Sequence, residues 1–172
     1  MTPHLTKTNI RPLDVSREER DGFVQVYDSE WPVGIVPAQW NAVRSSAGVL
    51  RGVHVHRRHD DYLLLASGRA LIGCHDMRER SSTFGLTTQV ELTPLSDAIT
   101  IPHGVAHGFY FLEPSIHLYA VSHTFDPNDE LGCRFDDPDL GFSWPVSHPT
   151  LSARDAGLGS LASLRDDLRR VV

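Results

Sequence analysis

From residue 49 onward, short runs of apolar and β-branched residues alternate with turn residues at regular spacing. Runs at 49–56, 62–66, 69–75, 87–92, 98–101, 108–112 and 116–125 are punctuated by Ser67-Gly68, Thr93-Pro94, Pro102-His103-Gly104 and Glu113-Pro114. Many short strands spaced this way predict an all-β antiparallel sandwich or barrel. Ahead of them, Gly22-Phe23-Val24-Gln25-Val26-Tyr27 alternates as a short strand. Trp31-Pro32-Val33-Gly34 then breaks the pattern before a short segment around Ala38-Gln39-Trp40-Asn41. Residues 1–20 read as an irregular or edge-strand lead-in. Only the tail, about 152–172, changes period: Leu158, Leu161, Leu164, Leu168 and Val171 recur at helical intervals among Arg and Asp. That stripe predicts a short amphipathic C-terminal helix packed on the body. With no repeat and no linker-like shift in composition, 172 residues predict one domain, 1–172, large enough to bury a core.

Charge narrows the partners. A formal net charge of −6 argues against nucleic acid and anionic membranes, which need clustered Lys and Arg, so any phosphate contact should be local. No run approaches the roughly 18 apolar residues of a membrane span, and no apolar stretch follows Lys7. Cys74 and Cys133 stand far apart and lack the paired spacing of a zinc or redox motif. A reducing cytoplasm is the expected compartment.

Chemistry concentrates in residues 48–61, Gly-Val-Leu-Arg-Gly-Val-His-Val-His-Arg-Arg-His-Asp-Asp. Residues two apart on a strand share a face, so His54 and His56 should project together. Gly48, His54, His56, Asp61 and Gly68 have the spacing of the first cupin motif, with Asp61 where Glu is usual. The second motif is partly present in Pro102-His103-Gly104-Val105-Ala106-His107; its leading Gly is Ser96 and its closing Asn is Phe111. The resemblance implies a cupin-type jelly roll. In metal-binding cupins His54, His56, Asp61 and His107 would hold a divalent metal: iron, manganese, nickel or zinc. The competing reading makes the histidines hydrogen-bonded pocket residues and leaves Asp60 and Asp61 solvated opposite Arg57 and Arg58. His59, His75, His103, His117 and His123 read as structural or surface residues.

Longer matches select one branch. Gly48-Val49-Leu50-Arg51-Gly52-Val53-His54 resembles the Val-Leu-Arg-Gly-Leu-His segment of the dTDP-4-dehydrorhamnose 3,5-epimerase family. Similar segments follow in order: 82–85, 101–109, Leu118-Tyr119, 136–145 and 151–155. The resemblance covers roughly residues 18–160. It implies deprotonation and reprotonation beside the ketone of a nucleoside-diphosphate 4-keto-6-deoxy sugar, with no cofactor and a homodimer that exchanges strands. It assigns His54 as base, Asp155 as its carboxylate partner, Tyr119 as proton donor on the opposite face and Arg51 to the diphosphate. Asn41 and His107 would line the pocket, and Arg20 would contact substrate. Taken alone, Tyr119 reads as a core tyrosine, Asp155 as a helix N-cap and Arg51 as half of a surface ion pair.

Departures from the family are specific. Its lysine beside the enolate falls on Asp60 or Asp61, its usual Gln on His56 and a second aromatic, commonly Tyr, on Phe125. The N-terminal nucleotide-contact segment is blurred into Glu19-Arg20-Asp21-Gly22-Phe23. An anion in place of a cation opposes enolate formation. Two readings follow. The first is an epimerase whose oxyanion role has moved to His56, His107 or Arg51. The second is a metal-dependent cupin isomerase or oxygenase using His54, His56, Asp61 and His107.

Overall fold

The structure, a computed structural model, describes residues 10–13, 15–17 and 22–170. Its strands are β1 (Ile10–Pro12), β2 (Val15–Arg17), β3 (Gly22–Val24), β4 (Gln39–Ser45), β5 (Leu50–Val55) and β6 (Asp61–Ser67), then β7 (Ala70–Asp76), β8 (Thr87–Leu92), β9 (Asp97–Ile101), β10 (Val105–Phe111), β11 (Ser115–Val121) and β12 (Leu131–Gly132). Two helices close the chain, α1 (Ala153–Ala156) and α2 (Leu161–Arg169). One five-stranded sheet runs β1-β9-β6-β11-β4, a second runs β12-β5-β10-β7-β8, and β2 pairs with β3. All their strand pairings are antiparallel. This is the jelly roll that the strand spacing and the cupin motifs predict.

β6 shows why the sequence builds layers. Leu63 and Leu65 join Ile72, Cys74, Leu92, Ile99, Ile101 and Phe111 in the core between the sheets. Tyr62 and Leu64, on the other face, pack with Leu13, Val33 and Ile35 from the N-terminal segments. A strand covered on both sides is apolar throughout, which is how 62–66 reads. The second sheet is backed in turn. Leu161 and Leu164 of α2 bury against Val53, Val55, Ala106, Cys133 and Leu140.

The helical stripe is shorter than its spacing suggests. Leu158 precedes α2 and Val171 lies outside the described residues. The strand expected over 22–27 ends at Val24, and the segment around Ala38–Asn41 lengthens into β4. Apolar packing fills one end of the space between the sheets. At the other end the residues lining the space from β4, β5, β10 and β11 include Asn41, His54, His107 and Tyr119, and a cleft opens there.

Candidate active site

The cleft, ≈ 630 Å³, is lined among others by Asn41, Arg51, His54, His56, His107 and Tyr119, together with Asp61 and Asp155. Every site residue predicted from the sequence within the described residues is therefore in one cavity. Arg20 lies outside them.

Asp155 sits 101 residues from His54, and local structure explains the meeting. The backbone at Thr150 bridges to Val49 in parallel; Leu50 N–H donates to the Thr150 carbonyl and Thr150 N–H to that of Gly48. The chain is thus pinned beside β5 before α1 begins. Ser152, not Asp155, caps α1: its Oγ accepts the Asp155 N–H at 3.0 Å. The Asp155 carboxylate is freed to face β5, where Oδ1 lies 2.7 Å from His54 Nε2 and Oδ2 accepts the Gly52 N–H at 3.4 Å. Gly52 has φ +104°, and a Cβ there would lie 2.7 Å from the His107 carbonyl oxygen, so only glycine fits. Burial pushes the Asp155 pKa up, but the hydrogen bond and charge of His54, with Ser152 and the Gly52 N–H, outweigh it and hold it below the usual range. An ionised Asp155 only accepts, so His54 carries its proton on Nε2 and keeps the lone pair on Nδ1.

Tyr119 lies on β11, paired with Asn41 of β4, so it belongs to the sheet opposite His54. Burial raises its pKa, Asp61 and Glu130 add to the rise and Arg51 opposes it. Its hydroxyl keeps its proton at neutral pH. Arg51 forms no ion pair among the described residues; its Nε donates to Ser45 Oγ at 2.9 Å.

Behind His54 is a second cluster. His56 stacks on His59 with ring centroids 3.8 Å apart. His56 Nε2 and His107 Nε2 lie 3.6 and 3.8 Å from Asp61 Oδ2, and His59 Nε2 lies 3.9 Å from Oδ1. All four residues are buried. Burial foremost, then the neighbouring His59, pushes the His56 pKa down to about 3; burial and His56 take His107 to about 3 as well. Burial, then Glu130, Asp60 and Asp129, raises that of Asp61. Asp60 turns away, accepting the backbone and ring N–H groups of His103 at 2.7 and 2.8 Å. Asp61 is thus not the solvated turn residue of the competing reading, and it alone of the pair enters the cleft.

The predicted four-ligand metal set is not assembled. Ligand atoms of His56, Asp61 and His107 lie within 4.8 Å of one another, but His54 is outside that group, with Nε2 committed to Asp155. The three that remain have suitable chemistry: two imidazole lone pairs and a carboxylate whose buried Oδ2 has no hydrogen-bond partner among the described residues.

Three residues of the site escape sequence reading. His59 and His117 read as structural or surface residues, yet both are buried in the cleft wall with Glu130. His117 stacks against Phe111 and Tyr119. Burial and then Arg51 lower its pKa to about 4. The signal for it was its place two residues before Tyr119, hence on the same strand face.

Residues 6–163 match the dTDP-4-dehydrorhamnose 3,5-epimerase family. The chain belongs to this family. It is 34% identical over 134 residues to a dTDP-4-dehydrorhamnose 3-epimerase of Streptomyces niveus, covering 75% of this chain and 65% of that protein. It thus spans just under two thirds of that relative's length. With the 3,5-epimerase of Mycobacterium tuberculosis it shares 36% identity over 135 residues, 74% of this chain and 67% of that one. The dTDP-6-deoxy-D-glucose-3,5-epimerase of Legionella pneumophila, solved in complex with dTDP-4-keto-L-rhamnose, superposes with a TM-score of 0.84 at 29% identity, over 92% of this chain and 90% of that chain. Among the described residues no helix is long and apolar enough to cross a membrane.

Proposed function

We propose that the protein epimerises a nucleoside-diphosphate 4-keto-6-deoxy sugar by moving protons at the carbons beside the ketone. The observation that carries this reading is the 2.7 Å contact of His54 Nε2 with a buried Asp155 in the cleft, with Tyr119 on the opposing sheet. His54 Nδ1 takes the proton from the carbon beside the carbonyl, whose oxygen becomes an enolate. Asp155 stabilises the imidazolium that results. Tyr119 O–H then returns a proton to the same carbon from the other face, and both groups re-equilibrate with solvent. Proton transfer of this kind calls for no redox or organic cofactor.

The Arg51 guanidinium supplies the local cation for the diphosphate, in keeping with a chain otherwise too acidic for polyanions. Asn41 and His107 shape the sugar pocket, and Arg20 is assigned to substrate by the family resemblance alone. The protein is further assigned to the cytoplasm, where its free, buried Cys74 and Cys133 would stay reduced, and residues 1–172 to one functional unit. Its assembly is a homodimer. The edge strand β4 carries the exposed Trp40, and Val36 and Phe125 are exposed as well.

The test is solvent deuterium incorporation beside the ketone of dTDP-4-keto-6-deoxyglucose, read by NMR. Deuterium should appear with inversion at one or both carbons. No exchange with several such sugars would refute the reading.

A further inference from the structure

The ring nitrogens of the buried cluster have fixed roles. His107 Nδ1 lies 3.0 Å from the Val105 carbonyl, His56 Nδ1 lies 3.4 Å from both the Asp129 carbonyl and Glu130 Oε1, and His59 Nδ1 lies 3.0 Å from Asp129 Oδ2. Each of those partners is an acceptor, so each Nδ1 carries the proton and each Nε2 a lone pair. All three lone pairs are turned on the carboxylate of Asp61. Acceptors face acceptors, and among the described residues the buried Oδ2 of Asp61 has no donor. With Asp61 ionised such a cluster is repulsive, and either a proton on Asp61 or a cation held among the lone pairs relieves it.

From this geometry we infer that His56 Nε2, His107 Nε2 and the Asp61 carboxylate form a divalent-cation site at the cleft floor, separate from the His54–Asp155 pair. Metal bonds of about 2.0–2.2 Å allow two ligand atoms of one ion to be at most ~4.4 Å apart. The distances of 3.6 and 3.8 Å to Asp61 Oδ2 fall inside that limit, too long for hydrogen bonds of good geometry. Outer partners are in place too, since Val105, Asp129 and Glu130 orient the two ligating rings through Nδ1. Two imidazoles and one carboxylate suit zinc, manganese, iron, cobalt or nickel, and three protein ligands leave positions open toward the cleft.

The arrangement also bears on the epimerase reading, on which this last step rests. With lone pairs on Nε2, neutral His56 and His107 cannot donate to an enolate oxygen, so neither can take over the oxyanion role as an imidazole. Bound there, a divalent ion would act as the Lewis acid that replaces the family's lysine charge.

The experiment titrates Co²⁺ into chelator-treated protein, following visible absorption and heat. One ion per chain is expected. Asp61→Asn and His107→Gln, each shown folded by circular dichroism, should weaken binding by more than the ~10–100-fold typical of losing an outer partner. His54→Asn should leave it unchanged. No saturable uptake by the folded wild type, or uptake abolished by His54→Asn and spared by Asp61→Asn, overturns the site. Deuterium exchange measured on the same samples separates the two readings. Cobalt bound as predicted without exchange on any 4-keto sugar refutes the epimerase and upholds the site, whereas exchange that survives full chelation unchanged overturns the cation's role in catalysis.

Discussion

At the scale of single residues, the division of labour among the histidines decides what each substitution does. His54→Asn or Asp155→Asn should slow deuterium exchange by about 10²–10⁴-fold, the usual worth of a positioned base. Tyr119→Phe should separate two events that the wild type couples. His54 would still exchange the proton and return deuterium to the face it came from, while inversion falls by ~10²-fold or more; NMR of the recovered sugar reads both. His117 offers a prediction about stability. It is neutral in the fold, with a pKa lowered to about 4, and near 6.5 when unfolded. Below pH 6.5 the unfolded chain gains a proton that the folded one refuses until about pH 4, so stability falls across that window, by ~3 kcal/mol at most. Urea unfolding at several pH values should show a flatter slope for His117→Phe than for wild type. His54, Asp155 and Tyr119 could be singled out as letters, through resemblance, and the structure gathers them around one cleft. The roles of His59 and His117 were not, because a histidine's neighbours on other strands decide whether it is wet or buried.

Among the elements, the C-terminal helix and the loop after β5 carry the site's precision. α2 is held by Leu161 and Leu164, both buried, and by the Leu161 N–H donated to Asp137 Oδ2 at 2.9 Å. Leu161→Ala should cost about 2–5 kcal/mol in urea unfolding. The loop is clipped by Asp129, whose carboxylate accepts the N–H groups of Arg57 at 2.7 Å and Arg58 at 3.3 Å as well as that of the His59 ring. Burial raises the Asp129 pKa, but these hydrogen bonds win and lower it. Its stabilising contribution is therefore present above pH ~4 and lost as pH falls further. Asp129→Ala should destabilise the fold by about 1–3 kcal/mol and disorder the His56–His59 stack, seen in the imidazole NMR signals. Strands β5 to β11 were visible in the sequence to within a few residues, since alternation and turns are local. Short α1 was not, and Asp155 looked like a cap; only the bridge at Thr150 shows that Ser152 caps and Asp155 reaches across.

For the whole molecule, the expected assembly is testable by sedimentation equilibrium. Two chains should associate, and Trp40→Asp on the exposed edge strand should weaken the dimer without unfolding the chain. The sequence by itself determined the class of fold, because period-two alternation, turn residues and a helical stripe are properties of neighbours along the chain. It also determined the family, because matches in fixed order over most of the length do not depend on contacts. Tertiary structure decided which partner His54 meets. In the sequence, His54, His56 and Asp61 form one stretch; in space they part, His54 drawn by Asp155 from the far end of the chain and His56 joined to His107 and Asp61. No local pattern encodes that separation, since it is set by strand pairing and by which lone pairs and protons meet across the cleft.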